Sequence, residues 1–110
     1  MSTAYITHLD CLRHEMGQHH PECPERLQAI EDQLILSRID YFFTRISPPL
    51  ATEDQLALIH TQEHIQCIKA LSPKEGYSSI DGDTNMNPHT WKAALRSAGG
   101  AIAAVDAVMQ

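Results

Sequence analysis

The chain has 110 residues, of which 43% are hydrophobic and 20% charged, and its formal net charge is −6. This length and apolar content suit one globular domain with a single core, and they exclude a chain that is disordered throughout. No basic run is present, and a nucleic-acid-binding protein needs clustered Lys and Arg to displace counterions from phosphates. We therefore predict no direct nucleic-acid partner.

Features of targeting and export are also missing from the sequence. No apolar run reaches the ~20 residues that span a bilayer, so we predict no membrane segment. The first ten residues lack the basic and apolar regions of a secretory signal. Cys11, Cys23 and Cys67 are an odd number and do not predict a disulfide framework. We expect a cytoplasmic protein.

The first half of the chain predicts a strand, a helix and a second strand. Residues 4–7 are β-branched and aromatic and predict a strand. Residues 9–24 are polar and rich in His, and they show neither helical nor strand periodicity, so we expect a long loop of the kind that often carries function. Residues 24–37 have Pro in the first turn and apolar residues at helical spacing, which predicts a helix. With a strand at residues 41–46, this order indicates a parallel β-α-β unit.

The second half predicts three helices and one loop. Thr52 and Gln55 have the spacing of a capping box, and Thr61 can cap a second short helix. Residues 72–87 are rich in Ser, Gly, Asp and Asn and predict a loop. The Asn-Pro pair at 87–88 is typical of the start of a helix.

The last predicted helix combines an apolar stripe with small residues. The stripe consists of Trp91, Leu95, Ala98, Ile102, Val105 and Met109. Gly99 and Gly100 would each cost about 1 kcal/mol relative to Ala in an isolated helix, so we expect them to pack closely against a neighbour. The final residues show neither a capping Gly nor a basic last turn. We therefore expect the chain to be part of a longer domain.

Several motifs, taken in order, resemble the histone deacetylase family. Residues 14–27, HEMGQHHPECPERL, resemble the first loop and helix start of these enzymes, and residues 58–61, LIHT, resemble their next landmark. Residues 81–84, DGDT, together with Pro88 and the small residues between 93 and 100, resemble their second loop and long helix. The resemblance covers nearly the whole chain. Bacterial and class II-like members, including acetylpolyamine amidohydrolases, look more similar than the class I enzymes.

The resemblance implies an α/β fold, in which residues 1–110 form the N-terminal part of a three-layer αβα arginase/deacetylase-like domain with a parallel sheet. Family members are zinc-dependent deacetylases that act on acetylated lysine or acetylated polyamines. Two Asp and one His hold their Zn²⁺, and an adjacent His pair transfers protons. These parts follow the long helix in the family, and the pair His19-His20 precedes Pro21 in the first loop instead. The resemblance thus implies that this chain alone binds no Zn²⁺ and is inactive.

The same resemblance implies a set of substrate-binding residues. His20, Pro21 and Glu22 would line the substrate entrance, although an exposed loop explains them equally well. Asp83 lies where some members place an acidic residue that grips the substrate backbone. Asp81 is a rival for that position, and both residues are also typical of turns.

Arg26 matches an arginine that lies beside an internal channel for acetate release in the family. A guanidinium there would attract the departing anion in a passage of low dielectric constant. The alternative for Arg26 is an ordinary ion pair with a nearby Glu.

A different class of protein is also compatible with the first loop. Six potential metal ligands are close together in the sequence: His8, Cys11, His14, His19, His20 and Cys23. The pairs at positions 11 and 14 and at positions 20 and 23 offer a tetrahedral sulfur and nitrogen set for a structural zinc. Such a module would have a structural or interaction role and would not be an enzyme. The spacing is not that of a standard zinc finger, and the rest of the chain has enough apolar residues to fold without a metal.

Overall fold

The computed structural model describes residues 2–110. The helices and strands are, in chain order, β1 (Thr3–Ile6), α1 (Asp10–Arg13), α2 (Pro24–Leu36), a 3-10 helix (Ile39–Phe42), β2 (Phe43–Ile46), α3 (Glu53–Leu56), α4 (Gln62–Leu71), β3 (Ser78–Asp81), β4 (Thr84–Met86) and α5 (Thr90–Met109). The fold is therefore of the α/β class. None of the helices within residues 2–110 is both long and apolar enough to cross a membrane.

Strands β1 and β2 pair in parallel, with Thr3 opposite Phe43 and Ile6 opposite Ile46. Parallel neighbours need a crossover connection, and α2 supplies it here. The predicted β-α-β unit is confirmed. The prediction that the second strand begins at residue 41 is wrong, because Arg38 adopts a left-handed conformation (φ 61°) and a 3-10 turn follows it before β2 begins.

Side chains from both strands attach α2 to the sheet. The rings of Tyr5 and Phe43 stack with their centroids 5.3 Å apart. The Tyr5 hydroxyl donates to Glu31 Oε2 at 2.7 Å, and Arg45 Nη2 donates to Glu31 Oε1 at 2.6 Å. These two donors, Tyr5 first, hold the pKa of the Glu31 carboxyl below its ordinary value. The Glu31 carboxylate therefore fixes the orientation of α2 relative to β1 and β2.

Two segments predicted as loops contain regular structure. Residues 9–24 include the one-turn helix α1, and residues 72–87 include the antiparallel hairpin of β3 and β4. One turn is too short for apolar periodicity to reveal, and the hairpin strands are three and four residues long and mostly polar. Both elements depend on tertiary contacts rather than on local pattern.

The predicted caps of α3 and α4 are confirmed. Thr52 Oγ1 accepts from the Gln55 N–H at 3.1 Å, and Gln55 Oε1 accepts from the Thr52 N–H at 2.9 Å. Thr61 Oγ1 accepts from the His64 N–H at 3.1 Å. Each such cap stabilises its helix by about 1 kcal/mol.

The predicted start of α5 is wrong by two residues. The helix begins at Thr90, and Pro88 lies in a turn before it. Asn87 Oδ1 accepts from the His89 N–H at 3.0 Å and from the Thr90 hydroxyl at 2.9 Å. Asn87 therefore closes a turn through its side chain and does not cap the helix directly.

Helix α5 packs closely against the backbone of the segment that follows β2. The Ala51 N–H donates to the Leu95 carbonyl at 3.0 Å. A Cβ on Gly99 would lie 1.9 Å from the Pro49 carbonyl oxygen, so only glycine fits at this position. The predicted close packing is confirmed at Gly99, and the neighbour is a segment without helix or strand structure.

A buried ion pair joins α1 to α5. Arg96 Nε donates to Asp10 Oδ2 at 2.9 Å, and Arg96 Nη1 donates to the Pro48 carbonyl at 2.8 Å. Asp10 is 5% exposed, and its backbone N–H donates to His8 Nδ1 at 3.0 Å. The hydrogen bond from Arg96 is the main cause that holds the pKa of the Asp10 carboxyl below its ordinary value.

The buried core is small, and large apolar residues are exposed. Among residues 2–110, the buried residues with apolar side chains are Pro48, Ala51, Ile65, Met86 and Ala93. Val105 and Met109 of the predicted apolar stripe are 59% and 79% exposed. The C-terminal part of α5 has no covering element within the described residues.

Substitution of Gly99 and Gly100 tests the close approach of α5. Gly99→Ala should lower the free energy of unfolding by about 1–3 kcal/mol, because the new methyl group overlaps the Pro49 carbonyl. In Gly100→Ala the Cβ meets Ile6 and Pro48 at ordinary distances of 3.5 and 3.6 Å, so this matched control should be neutral or gain up to ~1 kcal/mol of helix propensity. Urea unfolding of the full-length protein measures both, and equal effects would contradict the packing described.

The Asp10–Arg96 pair predicts a specific dependence of stability on pH. Because the folded-state pKa of Asp10 is lowered, the pair stabilises the fold above the ordinary pKa of 3.8. That stabilisation disappears as the pH falls through the lower, folded-state pKa. Asp10→Asn should therefore lower the melting temperature at pH ~7 and flatten its fall below pH ~4.

The matched control is Asp106→Asn, which changes an exposed carboxylate on α5. It should leave the pH dependence of the melting temperature unchanged. Parallel curves for Asp10→Asn and the wild type would show that ionisation of Asp10 contributes no pH-dependent stability.

Candidate functional site

The first loop, residues 14–23 between α1 and α2, lies against the hairpin turn, residues 82–83 between β3 and β4. His20 Nε2 lies 3.1 Å from Asp83 Oδ1 and 3.1 Å from the Asp83 carbonyl oxygen. The Glu22 N–H donates to His20 Nδ1 at 3.0 Å. An amide can only donate and a carbonyl can only accept, so Nδ1 is the acceptor and Nε2 the donor. The structure thus joins two of the predicted site residues that are 63 positions apart.

Exposure differs sharply between these two side chains. The Asp83 side chain is 94% exposed, whereas that of His20 is 19% exposed. Asp81 has a different role, because its Oδ1 accepts from the Asp83 N–H at 2.9 Å and so closes the turn. The turn role that the sequence left open thus applies to Asp81, while the Asp83 carboxylate is held by the first loop.

A second pair of contacts fastens the first loop to the hairpin. Glu15 accepts from the Tyr77 hydroxyl and from the Gly17 N–H, and these bonds, Tyr77 first, keep the pKa of the Glu15 carboxyl below its ordinary value. The Asn85 side-chain amide donates to the Met16 carbonyl at 3.4 Å. Sequence reasoning missed Glu15 and Tyr77, because a pair 62 positions apart has no local signature.

The base of the first loop is hydrogen-bonded to the start of α5. The Asn87 side-chain amide donates to the Arg13 carbonyl at 2.8 Å, and Asn87 is 4% exposed. His14 Nδ1 lies 2.7 Å from Thr90 Oγ1. Since the Thr90 hydroxyl gives its single proton to Asn87 Oδ1, His14 Nδ1 is the donor to it. The N-terminal end of the first loop is therefore fixed to the start of α5.

Arg26 lies on the first turn of α2 beside a cavity of about 340 Å³. The cavity is lined by Cys11, His14, Glu22, Arg26, Leu27, Thr90, Ala93, Ala94 and Ser97. Arg26 Nη2 also lies 3.5 Å from Glu22 Oε1, with both side chains close to half exposed. Such a pair contributes at most about 1 kcal/mol, so it restrains the guanidinium only weakly. The sequence left open whether Arg26 lies beside a channel or pairs with a nearby Glu. In the structure Arg26 both pairs with Glu22 and borders a cavity.

Potential metal ligands do not converge in the part of the chain that is described. Within residues 2–110, no group of three or more His, Cys, Asp or Glu side chains is placed to hold a metal ion. His14 and His20 bond to Thr90 and Asp83 respectively. Burial raises the pKa of the Cys11 thiol, which disfavours the thiolate that zinc requires. The zinc-module hypothesis is not favoured, and these residues do not fit the Zn²⁺ site of a deacetylase either.

The remaining predicted entrance residues, Pro21 and Glu22, follow His20 directly in the first loop. Pro21 is exposed and Glu22 is half-buried. The backbone of Glu22 holds His20, while its carboxylate faces Arg26. One short segment therefore touches both the hairpin turn and the first turn of α2.

Comparison with known proteins identifies relatives of this chain. A family model for the histone deacetylase domain matches residues 20–110. A probable deacetylase of Archaeoglobus fulgidus is 35% identical over 111 residues, which cover 99% of this chain and 30% of that protein. The human polyamine deacetylase HDAC10 is 30% identical over 118 residues, covering 99% of this chain and 18% of that protein. A histone deacetylase-like amidohydrolase of Pseudomonas aeruginosa is 30% identical, covering 97% of this chain and 32% of that protein.

A solved structure shows the same fold. The crystal structure of the HDA15 HD domain matches with a TM-score of 0.79 and 28% sequence identity, covering 90% of this chain and 29% of that chain. This chain spans between 18% and 32% of the length of the three relatives named above. The motif order, the α/β fold and the match over residues 20–110 agree, and the chain belongs to the histone deacetylase family.

Proposed function

We propose that residues 1–110 are the N-terminal part of a single deacetylase domain in a longer, zinc-dependent enzyme. The proposed reaction is hydrolysis of the acetyl amide of acetyl-lysine or of an acetylated polyamine. The match of residues 20–110 to the histone deacetylase domain carries this proposal. In it, the chain supplies the loops of the substrate entrance and one wall of an exit passage.

Metal binding is assigned to the longer protein. The described residues offer no set of three metal ligands, so the Zn²⁺ would be held by residues outside this chain. The roles proposed for residues 2–110 are therefore limited to binding the substrate and guiding the product.

Exposed apolar surface supports the assignment to a larger domain. Leu58 and Ile59 are 82% and 85% exposed, and Val108 at the end of α5 is 76% exposed. The parallel sheet has two strands within the described residues, and a sheet of that size is at best marginally stable by itself. In the proposal, further residues of the longer protein cover these surfaces.

Asp83 is proposed to grip the substrate beside the scissile amide. Its exposed carboxylate is held on a turn by His20 and can accept from a substrate backbone N–H or bind the ammonium of a polyamine. Glu22 and Asp81 add negative charge nearby, which would attract cationic substrates. Pro21 and Glu22 would form the neighbouring wall of the entrance.

Arg26 is proposed to bind the departing acetate. It borders the 340 Å³ cavity between α2 and α5, and its ion pair with Glu22 is long and half exposed. A guanidinium binds a carboxylate through parallel hydrogen bonds, so acetate can displace Glu22 with little loss.

Activity of the full-length protein tests the proposed reaction. It should release acetate from an acetyl-lysine peptide or from an N-acetylated polyamine, lose activity with a chelator and regain it with Zn²⁺. The 110-residue chain alone, with Zn²⁺ added, is the control and should be inactive. Release of acetate by the chain alone, or none by the full-length protein, would overturn the proposal.

Inhibition by added acetate tests the role of Arg26. Arg26→Ala should weaken this inhibition by about tenfold or more, because a hydrogen bond to a charged group contributes ~1.5–3 kcal/mol. Lys74→Ala removes the same charge from an exposed position and should leave acetate inhibition unchanged. If the inhibition constant for acetate is the same in Arg26→Ala as in the wild type, Arg26 does not bind acetate and serves only in a surface ion pair.

A further inference from the structure

We propose that His20 is a positioning residue that holds the Asp83 carboxylate ready for a substrate N–H or ammonium group and does not itself bind the substrate. This inference rests on the proposed function for its substrate, and on the hydrogen bonds around His20 for its geometry. It changes the role predicted for His20 from the sequence, which placed the imidazole itself at the substrate.

Both nitrogens of the His20 ring are used within the chain. Nδ1 accepts from the Glu22 N–H, and Nε2 is 3.1 Å from two oxygens of Asp83. The backbone partners fix which nitrogen carries the proton, because the amide cannot accept and the carbonyl cannot donate. A ring with both nitrogens engaged has no polar atom left for a ligand. His20 therefore has no free nitrogen for the substrate and acts on it through Asp83.

The contact restrains Asp83 at two points. One oxygen belongs to its backbone and the other to its side chain, so the Nε2–H fixes the carboxylate relative to its own turn. A side chain that is 94% exposed would otherwise sample several rotamers. His20 engages Oδ1, and a carboxylate has a second oxygen with its own lone pairs. Asp83 is thus held in place while still able to accept from the solvent side.

Attachment of the first loop does not depend on His20 alone. Glu15 bonds to Tyr77, and Asn85 bonds to Met16, so the loop stays on the hairpin when the imidazole is removed. A variant at His20 should therefore free the Asp83 carboxylate without detaching the loop. This separation makes a positioning role distinguishable from a purely structural one.

Kinetics of the full-length protein with an acetyl-lysine peptide test the inference. His20→Ala should raise KM by about two- to tenfold, the range expected when the substrate must itself order a mobile side chain, and should leave kcat unchanged. In an Asp83→Ala background the same change should have no further effect on KM. His20→Gln keeps a donor near the position of Nε2 and should restore part of the lost affinity.

Gln18→Ala, an exposed change in the same loop, is the matched control and should leave KM and kcat unchanged. Additive effects of His20→Ala and Asp83→Ala on KM would overturn the positioning role. A fall in kcat that is equal in both backgrounds would do the same, because it would indicate general damage to the loop.

NMR of the full-length protein labelled with ¹⁵N-histidine tests the geometry independently of activity. The His20 signal, assigned by its loss in His20→Gln, should show a proton on Nε2 and an acceptor at Nδ1. Asp83→Ala should shift the Nε2 resonance. A proton on Nδ1, or no shift in Asp83→Ala, would overturn the inference whatever the protein hydrolyses. If the spectra are as expected but the protein has no deacetylase activity, the proposed function is overturned. The substrate role of the Asp83 carboxylate is then overturned as well.

Discussion

The guanidinium of Arg96 is the point at which three separate parts of the chain meet. It binds the Asp10 carboxylate at the start of α1 and the Pro48 carbonyl after β2, while the residue itself belongs to α5. Charges are costly to remove from water, so a buried pair persists only when its hydrogen bonds are nearly complete. Because each partner would be left uncompensated without the others, the contact fixes the position of α1 relative to the sheet and to α5.

The position of the first loop follows from that constraint. The loop begins where α1 ends, and its base is bonded through Asn87 to the start of α5. The segment that accepts from Arg96 continues to Pro49, whose carbonyl lies where a Cβ of Gly99 would be. The contacts of Arg96 with Asp10 and Pro48 therefore determine both the close packing of α5 and the position of the first loop. The hairpin then provides the surface on which the middle of the loop rests.

The candidate site is consequently an assembly of loops joined by hydrogen bonds. Glu22 connects its two ends, since its backbone supports His20 while its carboxylate approaches Arg26. Asp83, proposed to grip the substrate, and Arg26, proposed to bind acetate, are in this way linked through the three consecutive residues from His20 to Glu22. In the proposed function, a chain that spans less than a third of these relatives' length contributes to substrate entry and product exit, and the metal chemistry belongs to the rest of the protein.

The sequence by itself determined the features that depend on near neighbours. The caps at Thr52 and Thr61, the β-α-β order and the need for glycine in α5 were predictable, because hydrogen bonds and periodicity within a few residues decide them. The order of motifs also indicated the family. Only the tertiary structure decided that His20 meets Asp83, 63 positions away, and that Asp10 meets Arg96, 86 positions away. Helix α1 and the hairpin were likewise missed, since elements this short are stable only through contacts with distant residues, and such contacts leave no pattern in the local sequence.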